Sequence, residues 1–136
     1  MSEIQALIAK LHDKSDFSIL FAEDEPMIRK PMSMIIERIC SDVVVACDGA
    51  QAWEAYQKRD FSLVITDLEM PYMSGSELIA HIKEKKPSQK IAVVTAYRDG
   101  AEIEEVKKQN IDCIIDKPLS LPIFISVIQS VIDQIP

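Results

Sequence analysis

The chain alternates between short runs of apolar residues and longer stretches in which apolar residues recur every three or four positions. In the short runs nearly every position is apolar and many residues are β-branched, which is typical of strands covered on both faces of a sheet. The pattern predicts five such strands. They are Phe17–Ala22, Val43–Ala46, Phe61–Thr66, Ile91–Thr95 and Ile111–Ile115.

The longer stretches have the periodicity of amphipathic helices. One helix is predicted ahead of the first strand, over residues 3–13, because its apolar residues fall at the i, i+3, i+4 and i+7 positions of a single face. Five further helices follow the strands. They are predicted at about Ile28–Ile39, Gly49–Lys58, about Glu77–Lys85, about Ala101–Gln109 and Leu121 to about Ile132.

Residues that cap helices precede four of these helices. Asn110 follows one of them and can adopt the left-handed conformation that ends many helices. Pro31 conflicts with a helix that begins at Pro26, because a proline so deep in a helix removes an internal donor; we therefore expect a late start or a kink. The capping candidates are Asp48, Ser74 or Ser76, Asp99 and Ser120.

The repeated alternation of strand and helix predicts an α/β fold, a doubly wound parallel sheet with helices on both faces. With five strands we expect the flavodoxin-like order 2-1-3-4-5. Residues 1–16 are predicted to form an extension that carries the extra N-terminal helix, and residues 17–136 to form one domain. In such sheets the functional site lies beyond the carboxyl ends of the strands, near the switch point between strands 1 and 3.

Composition narrows the class of protein. A chain of 136 residues, 48% of them apolar, can build one domain with a substantial core. The net charge of −7 argues against nucleic acid or an anionic membrane as the main partner, and three glycines are too few for a glycine-rich phosphate loop. Three cysteines without metal-ligand spacing favour reduced thiols. Because no apolar run suits a membrane span or signal peptide, we expect a cytoplasmic protein.

Charged and hydroxyl side chains stand at the ends of four predicted strands. Carboxylates without a nearby histidine or cysteine favour Mg²⁺, and a lysine with a hydroxyl suits the oxygens of a phosphoryl group. Asp67 is the candidate nucleophile, because a carboxylate can form an acyl phosphate. The strand-end residues are Glu23 and Asp24 after strand 1, Asp67 after strand 3, Thr95 at strand 4 and Lys117 after strand 5.

Each of these residues also has an ordinary structural explanation. An acidic pair such as Glu23 and Asp24 more often caps a helix, and a lone Asp67 more often belongs to a turn. Thr95 alone would be a strand-end residue, and Lys117 alone a solvated surface lysine. Their coincidence at four ends of one predicted sheet favours a site for phosphoryl transfer.

From about Phe17 to about Ile132 the chain resembles the receiver domain of two-component response regulators. The resemblance implies that Asp67 is phosphorylated from the phosphohistidine of a histidine kinase or a phosphotransfer protein. The matching motifs are Phe21-Ala-Glu-Asp-Glu-Pro26, Thr66-Asp-Leu-Glu-Met-Pro-Tyr-Met-Ser-Gly75, Val93-Val-Thr-Ala-Tyr97 and Asp116-Lys-Pro118.

The resemblance also implies a set of ligands for the cofactor Mg²⁺. Asp24 and Asp67 would bind the ion directly, the backbone carbonyl of Glu69 would complete the protein ligands, and Glu23 would bind through water. The residues implied to bind or respond to the phosphoryl group are Thr95, Ala96 and Lys117, with a cis peptide bond before Pro118.

The output of such a switch is harder to predict from this chain. Ile114 stands where receivers usually carry an aromatic residue three positions before the lysine, so the usual aromatic switch cannot operate in the same form. Tyr97 is a candidate substitute or a gate for water, and an exposed loop tyrosine is the equal alternative. The apolar residues of the last helices and the last strand form either additional core or an exposed patch. Such a patch would bind a downstream protein, the chain's own output domain or a second copy in a homodimer. Its candidate residues are Ile103, Val106, Ile114 and Val127.

Two other functions remain open at this point. The Asp67-Leu-Glu69 sequence is similar to the Asp-x-Asp of Mg²⁺-dependent phosphohydrolases of the haloacid dehalogenase type, which also need a cap. A degenerate receiver that only binds a partner is the third possibility, although the complete acidic, hydroxyl and lysine set argues against it. We expect a signalling switch and no enzyme beyond self-phosphorylation and autodephosphorylation. The sequence leaves open whether it is a single-domain regulator or part of a longer protein.

Overall fold

The computed structural model describes residues 2–13, 17–96 and 99–134, in which six helices and five strands alternate. The helices are α1 (Glu3–Asp13), α2 (Pro26–Ile39), α3 (Gly49–Lys58), α4 (Gly75–Lys85), α5 (Ala101–Lys107) and α6 (Leu121–Asp133). The strands are β1 (Ile19–Ala22), β2 (Val43–Ala46), β3 (Leu63–Asp67), β4 (Ile91–Thr95) and β5 (Cys113–Asp116).

The five strands form one parallel sheet in the order β2-β1-β3-β4-β5, as predicted. The order reverses at β1, so β1 and β3 are the neighbours between which a doubly wound sheet opens its crevice. In the register of the sheet Ala22 pairs with Thr66, and Asp67 pairs with Val94. The carboxyl ends of β1, β3 and β4 therefore lie side by side.

Two hydrophobic cores cover the two faces of the sheet. Alternate residues of β1 point into different cores, Ile19 and Phe21 into one and Leu20 and Ala22 into the other. The first core is completed by side chains of α1, α2 and α6, and the second by those of α3, α4 and α5. This arrangement explains why the central strands are apolar at nearly every position.

The predicted extra helix, α1, packs against the first core. Leu7 is fully buried and Leu11 nearly so, in one cluster with the apolar side chains of α6. At its end the Lys10 ammonium lies 3.7 Å from the Asp133 carboxylate of α6. The predicted boundary between extension and domain, at residue 16, lies outside the described residues.

Three of the predicted caps are confirmed. The Asp48 carboxylate accepts a hydrogen bond from the Gln51 N–H at 2.8 Å, and the hydroxyls of Ser74 and Ser120 cap α4 and α6 in the same way. The prediction of Asp99 as a cap was wrong. The residue before α5 is Gly100, whose φ of 127° favours glycine and which has no side chain to cap the helix. Asn110 has a φ of 60°, as predicted.

The start of α2 differs from the prediction. The helix begins at Pro26, where a missing N–H costs nothing, and the Arg29 N–H donates to the Glu25 carbonyl at 2.7 Å. Pro31 lies inside the helix, so the expected late start was wrong. Burial of Met32 and Ile36 in the first core stabilises the helix beyond the proline. The alternative, a kink, stays a prediction.

Of the two alternatives for the apolar residues near the C-terminus, the exposed patch was wrong and additional core is what the structure has. Ile103 and Val106 are only 2% and 0% exposed, because they pack into the second core from α5. Val127 is 9% exposed and belongs to the first core, and Ile114 is half-buried against the second. These side chains support the sheet and offer little surface to a partner.

A buried hydrogen bond joins α3 to the segment before β4. The Tyr56 hydroxyl donates to the Gln89 side-chain carbonyl at 2.7 Å, and both residues are buried. We expect Tyr56→Phe to lower the free energy of unfolding by about 1–2 kcal/mol, because the Gln89 oxygen loses its donor without contact with water. Urea denaturation measures the loss, and Tyr72→Phe is the control, because Tyr72 is 87% exposed.

The same tyrosine predicts a pH dependence. Burial, with a smaller effect of the Asp60 charge, raises the pKa of Tyr56 from 10.0 to about 12. A raised pKa means that the fold favours the neutral phenol, so its contribution is complete below pH 10 and is lost as the pH rises toward 12. Over this interval the wild type should lose more stability than Tyr56→Phe. Parallel curves for the two proteins would contradict the assignment.

Two expectations from composition concern the described residues as a whole. Cys40, Cys47 and Cys113 are all free thiols, as expected. In the described part of the chain no helix has the length and apolar character needed to cross a membrane.

Candidate functional site

Three strand ends bring two carboxylates and one ammonium into contact. The Lys117 Nζ lies 2.8 Å from Asp67 Oδ2 and 2.9 Å from Glu23 Oε1. All three side chains are shielded from solvent, with exposed fractions of 15% for Lys117, 8% for Asp67 and 1% for Glu23. Residues between 44 and 94 positions apart in the sequence thus form one charged cluster, as predicted.

A third carboxylate completes an acidic group beside this lysine. Carboxylate oxygens of Glu23, Asp24 and Asp67 lie within 4.8 Å of one another, and Asp24 is the half-buried member. Hard oxygen ligands from three closely spaced carboxylates fit a divalent cation such as Mg²⁺, which also offsets their mutual repulsion. The chemistry of this donor set therefore fits the predicted metal site.

The electrostatics of the cluster reflect its burial. Burial raises the pKa of Glu23 to about 7, and the neighbouring Asp67 charge adds to the shift, although the hydrogen bond from Lys117 opposes it. Burial lowers the pKa of Lys117, but the hydrogen bonds to Asp67 and Glu23 outweigh this effect and the net shift is upward. Lys117 is thus held in its charged form.

The end of β3 holds the Asp67 carboxylate in a defined orientation. Its Oδ1 accepts the Leu68 N–H at 2.7 Å, while Oδ2 faces Lys117. The backbone beside it is equally constrained, because a Cβ on Gly75 would lie 2.0 Å from the Asp67 carbonyl oxygen. Only glycine permits α4 to begin so close to the candidate nucleophile.

The loop after β1 is held by Arg29, a residue that the sequence analysis missed. Its guanidinium donates to the backbone carbonyls of Glu23 at 3.1 Å and Asp24 at 3.0 Å. The Glu25 N–H also donates to the Glu23 carboxylate at 3.3 Å. An arginine in the first turn of a helix, where cations are unfavourable, was the available sequence signal.

The remaining predicted residues lie at the ends of β4 and β5. Thr95 is buried, and its backbone carbonyl accepts the Lys117 N–H at 3.0 Å. Ala96 is exposed, and the Lys117–Pro118 peptide is cis, as predicted. Tyr97, the candidate gate, lies outside the described residues.

The similarity of this chain to known proteins settles its family. A model of the response regulator receiver domain matches residues 19–129. The chain belongs to this family. Receiver domains of response regulators are phosphorylatable switches of two-component signalling, as predicted from the motifs above, and the alternative of a phosphohydrolase is not favoured.

Curated relatives agree with the receiver assignment. The chain is 34% identical over 104 residues to a cyclic di-GMP phosphodiesterase of Thermotoga maritima, covering 76% of the chain and 28% of that protein. It is 31% identical over 115 residues to response regulator RR06 of Streptococcus pneumoniae, covering 85% of the chain and 52% of that protein. The chain therefore spans about half or less of these relatives.

Solved structures show the same fold. A CheY-like receiver domain from Methanospirillum hungatei superimposes with a TM-score of 0.80 at 23% identity, covering 87% of this chain and 94% of that one. Chemotaxis protein CheY4 of Vibrio cholerae superimposes with a TM-score of 0.77 at 24% identity, covering 85% of this chain and 98% of that one.

Proposed function

We propose that Asp67 is the phosphoryl acceptor of this receiver and that the donor is the phosphohistidine of a histidine kinase or phosphotransfer protein. The observation that carries the proposal is the double contact of Lys117 with Asp67 and Glu23 inside the three-carboxylate cluster. A lysine in this position neutralises the acceptor before the reaction and remains beside the new charge after it.

In the proposed step an Asp67 carboxylate oxygen attacks phosphorus as the bond from phosphorus to the histidine nitrogen breaks. The electron pair of that bond leaves with the imidazole, which takes up a proton, and Asp67 becomes an acyl phosphate. Because Oδ1 is held by the Leu68 N–H, we assign the attack to Oδ2, the oxygen that faces Lys117. Lys117, the Thr95 hydroxyl and the Ala96 backbone would then hold the phosphoryl oxygens.

The same cluster is the proposed Mg²⁺ site. Asp24, Asp67 and the Glu69 carbonyl would bind the ion directly, with Glu23 bound through water. When bound, Mg²⁺ supplies positive charge that offsets the negative charge developing on the transferred phosphoryl group. Glu23 has a second role in this chain, because its carboxylate holds the Lys117 ammonium at 2.9 Å.

The proposed output is a change in partner binding. A phosphoryl group on Asp67 adds negative charge that competes with Glu23 for the Lys117 ammonium. It also attracts the Thr95 hydroxyl, which precedes the loop after β4. A downstream protein, an output domain in the same protein or a second copy of the chain would bind the altered surface. We propose a stoichiometric switch in the cytoplasm, with no catalytic turnover.

Intact-mass measurement after incubation with phosphoramidate and Mg²⁺ tests this function. We expect the mass of a single phosphoryl group to be added, with no addition when a chelator replaces Mg²⁺. Continuous release of inorganic phosphate at a high rate would instead indicate a phosphohydrolase. A chain that takes up no phosphoryl group would support the function of a binding module alone.

A further inference from the structure

A cavity of about 380 Å³ opens beside the proposed phosphoryl site. It is lined by Leu68, Glu69, Thr95 and residues 99–103, which connect the end of β3 and the end of β4 to the first turn of α5. Three of the described lining residues, Glu69, Asp99 and Glu102, are acidic, and none of the described lining residues is basic. Among the described residues, the wall next to Thr95 thus has the same sign of charge as a phosphoryl group.

Glu102 is a member of this wall that the fold holds in place. It is half-buried, whereas Glu104 and Glu105 on the same helix are exposed. The Ser76 hydroxyl donates to Glu102 Oε1 at 3.3 Å, because an ionised carboxylate can only accept. The carboxylate is therefore fixed between α4 and α5.

The segment that holds Glu102 is hydrogen-bonded to the residue that follows Asp67. Ser76 follows Gly75, whose N–H donates to the Leu68 carbonyl at 2.7 Å. The Ser76 hydroxyl also lies 3.2 Å from that of Ser74, the cap of α4. The position of the Glu102 charge is thus tied to the end of β3.

The charges of Glu102 and the site interact. Burial raises the pKa of Glu102, and the charges of Glu69 and Asp67 raise it further, against the lowering effect of the Ser76 hydrogen bond. Interactions between charges are reciprocal, so the Glu102 charge acts equally on charge that is placed at Asp67.

We propose that Glu102 is a selectivity residue for the phosphodonor, whose fixed negative charge disfavours small anionic donors at Asp67. The inference rests on the proposed function of Asp67. A protein donor gains binding energy from contacts outside the site and can offset the repulsion, whereas a small phosphate compound has no such contacts. Glu102 would thereby limit phosphorylation by free metabolite-sized donors.

The rate of phosphorylation by acetyl phosphate, at fixed Mg²⁺ and low ionic strength, tests the proposal. We expect Glu102→Gln to raise the second-order rate constant roughly three- to tenfold, because the acceptor surface loses one fixed negative charge. The gain should shrink at about 0.5 M salt and be smaller with phosphoramidate, which carries less negative charge than acetyl phosphate. Glu105→Gln is the matched control, since it removes one charge from an exposed position of the same helix.

Two more variants separate the charge from its structural contact. Ser76→Ala removes the hydrogen bond but keeps the carboxylate, and Glu102→Asp keeps the charge on a shorter side chain, so both should stay near the wild-type rate. Equal rates for Glu102→Gln and Glu105→Gln would overturn the inference, and so would equal gains for Glu102→Gln and Ser76→Ala. In either case the proposed function still holds if the wild type is phosphorylated. If neither the wild type nor Glu102→Gln accepts a phosphoryl group from either donor, the proposed function and the inference are contradicted together.

Discussion

Asp67→Asn should reduce phosphoryl uptake at least about a thousandfold, to the background of the mass measurement, because the amide has no anionic oxygen to attack phosphorus. The substitution preserves the size of the side chain, and the amide oxygen can still accept the Leu68 N–H. The fold should persist, since one charge is removed from a cluster of three carboxylates. Thermal unfolding of the same sample verifies this.

The matched control for this experiment is Asp60→Asn. Asp60 is exposed and precedes β3, so the control makes the same chemical change at the opposite end of the strand. Uptake by Asp60→Asn should equal that of the wild type. If Asp67→Asn accepted a phosphoryl group at the wild-type rate, another carboxylate of the cluster would have to be the acceptor.

Lys117→Met should destabilise the metal-free protein by about 3–5 kcal/mol near pH 8, because it leaves two buried carboxylates without their ammonium partner. The pKa of Glu23, already raised to about 7, should rise further, since the hydrogen bond that opposes the shift is removed. A carboxylate with a raised pKa in the folded state destabilises the fold as the pH rises from its ordinary value of 4.5 through the raised value. The loss should therefore be smaller at pH 5 than at pH 8.

Denaturation with urea at the two pH values, in the presence of a chelator, measures this effect. Lys58→Met is the control, because Lys58 forms an exposed ion pair with Glu54 at 3.2 Å, with both side chains 70% exposed. Such a pair contributes about 0.3–0.5 kcal/mol. A loss for Lys117→Met no larger than that of the control, or one that does not vary with pH, would contradict the pairing.

Much of the fold was predictable because the side chains that face a core are apolar, so burial leaves a periodic pattern of apolar residues in the sequence. The bounds of β2, β4 and α3 agree with the structure to the residue. The first predicted strand is two residues too long, because apolar character extends beyond the ladder. Phe17 is buried although it precedes β1, and the Ser18 N–H donates to the Ser62 hydroxyl instead of a strand partner.

The wrong predictions concern tertiary packing and the local path of the backbone. Apolar residues of α5 and α6 look alike in the sequence whether they face a core or a partner, and Ile103, Val106 and Val127 turned out to face the cores. Asp99 is a good capping residue by type, but Gly100 adopts a positive φ that only the local backbone path requires.

Some residues of the candidate site were predictable from the sequence and others were not. Glu23, Asp24, Asp67 and Lys117 were predictable because parallel strands end at one edge of a sheet. Arg29 and Glu102 were not, because their hydrogen-bond partners, two backbone carbonyls and the Ser76 hydroxyl, are set by how α2, α4 and α5 pack. Side chains that position others leave a weaker pattern in a sequence than those that carry charge at strand ends.

The packing of α1 has a practical consequence for anyone who trims this chain. The family match begins at residue 19, so a fragment that starts there would lack Leu7 and Leu11. Part of the apolar face of α6 would then be exposed to solvent. Phe124 and Ile128 belong to the same cluster as these leucines. An exposed apolar surface formed by such side chains promotes self-association. A shortened version should precipitate more readily than the intact chain even if its phosphorylation chemistry survives.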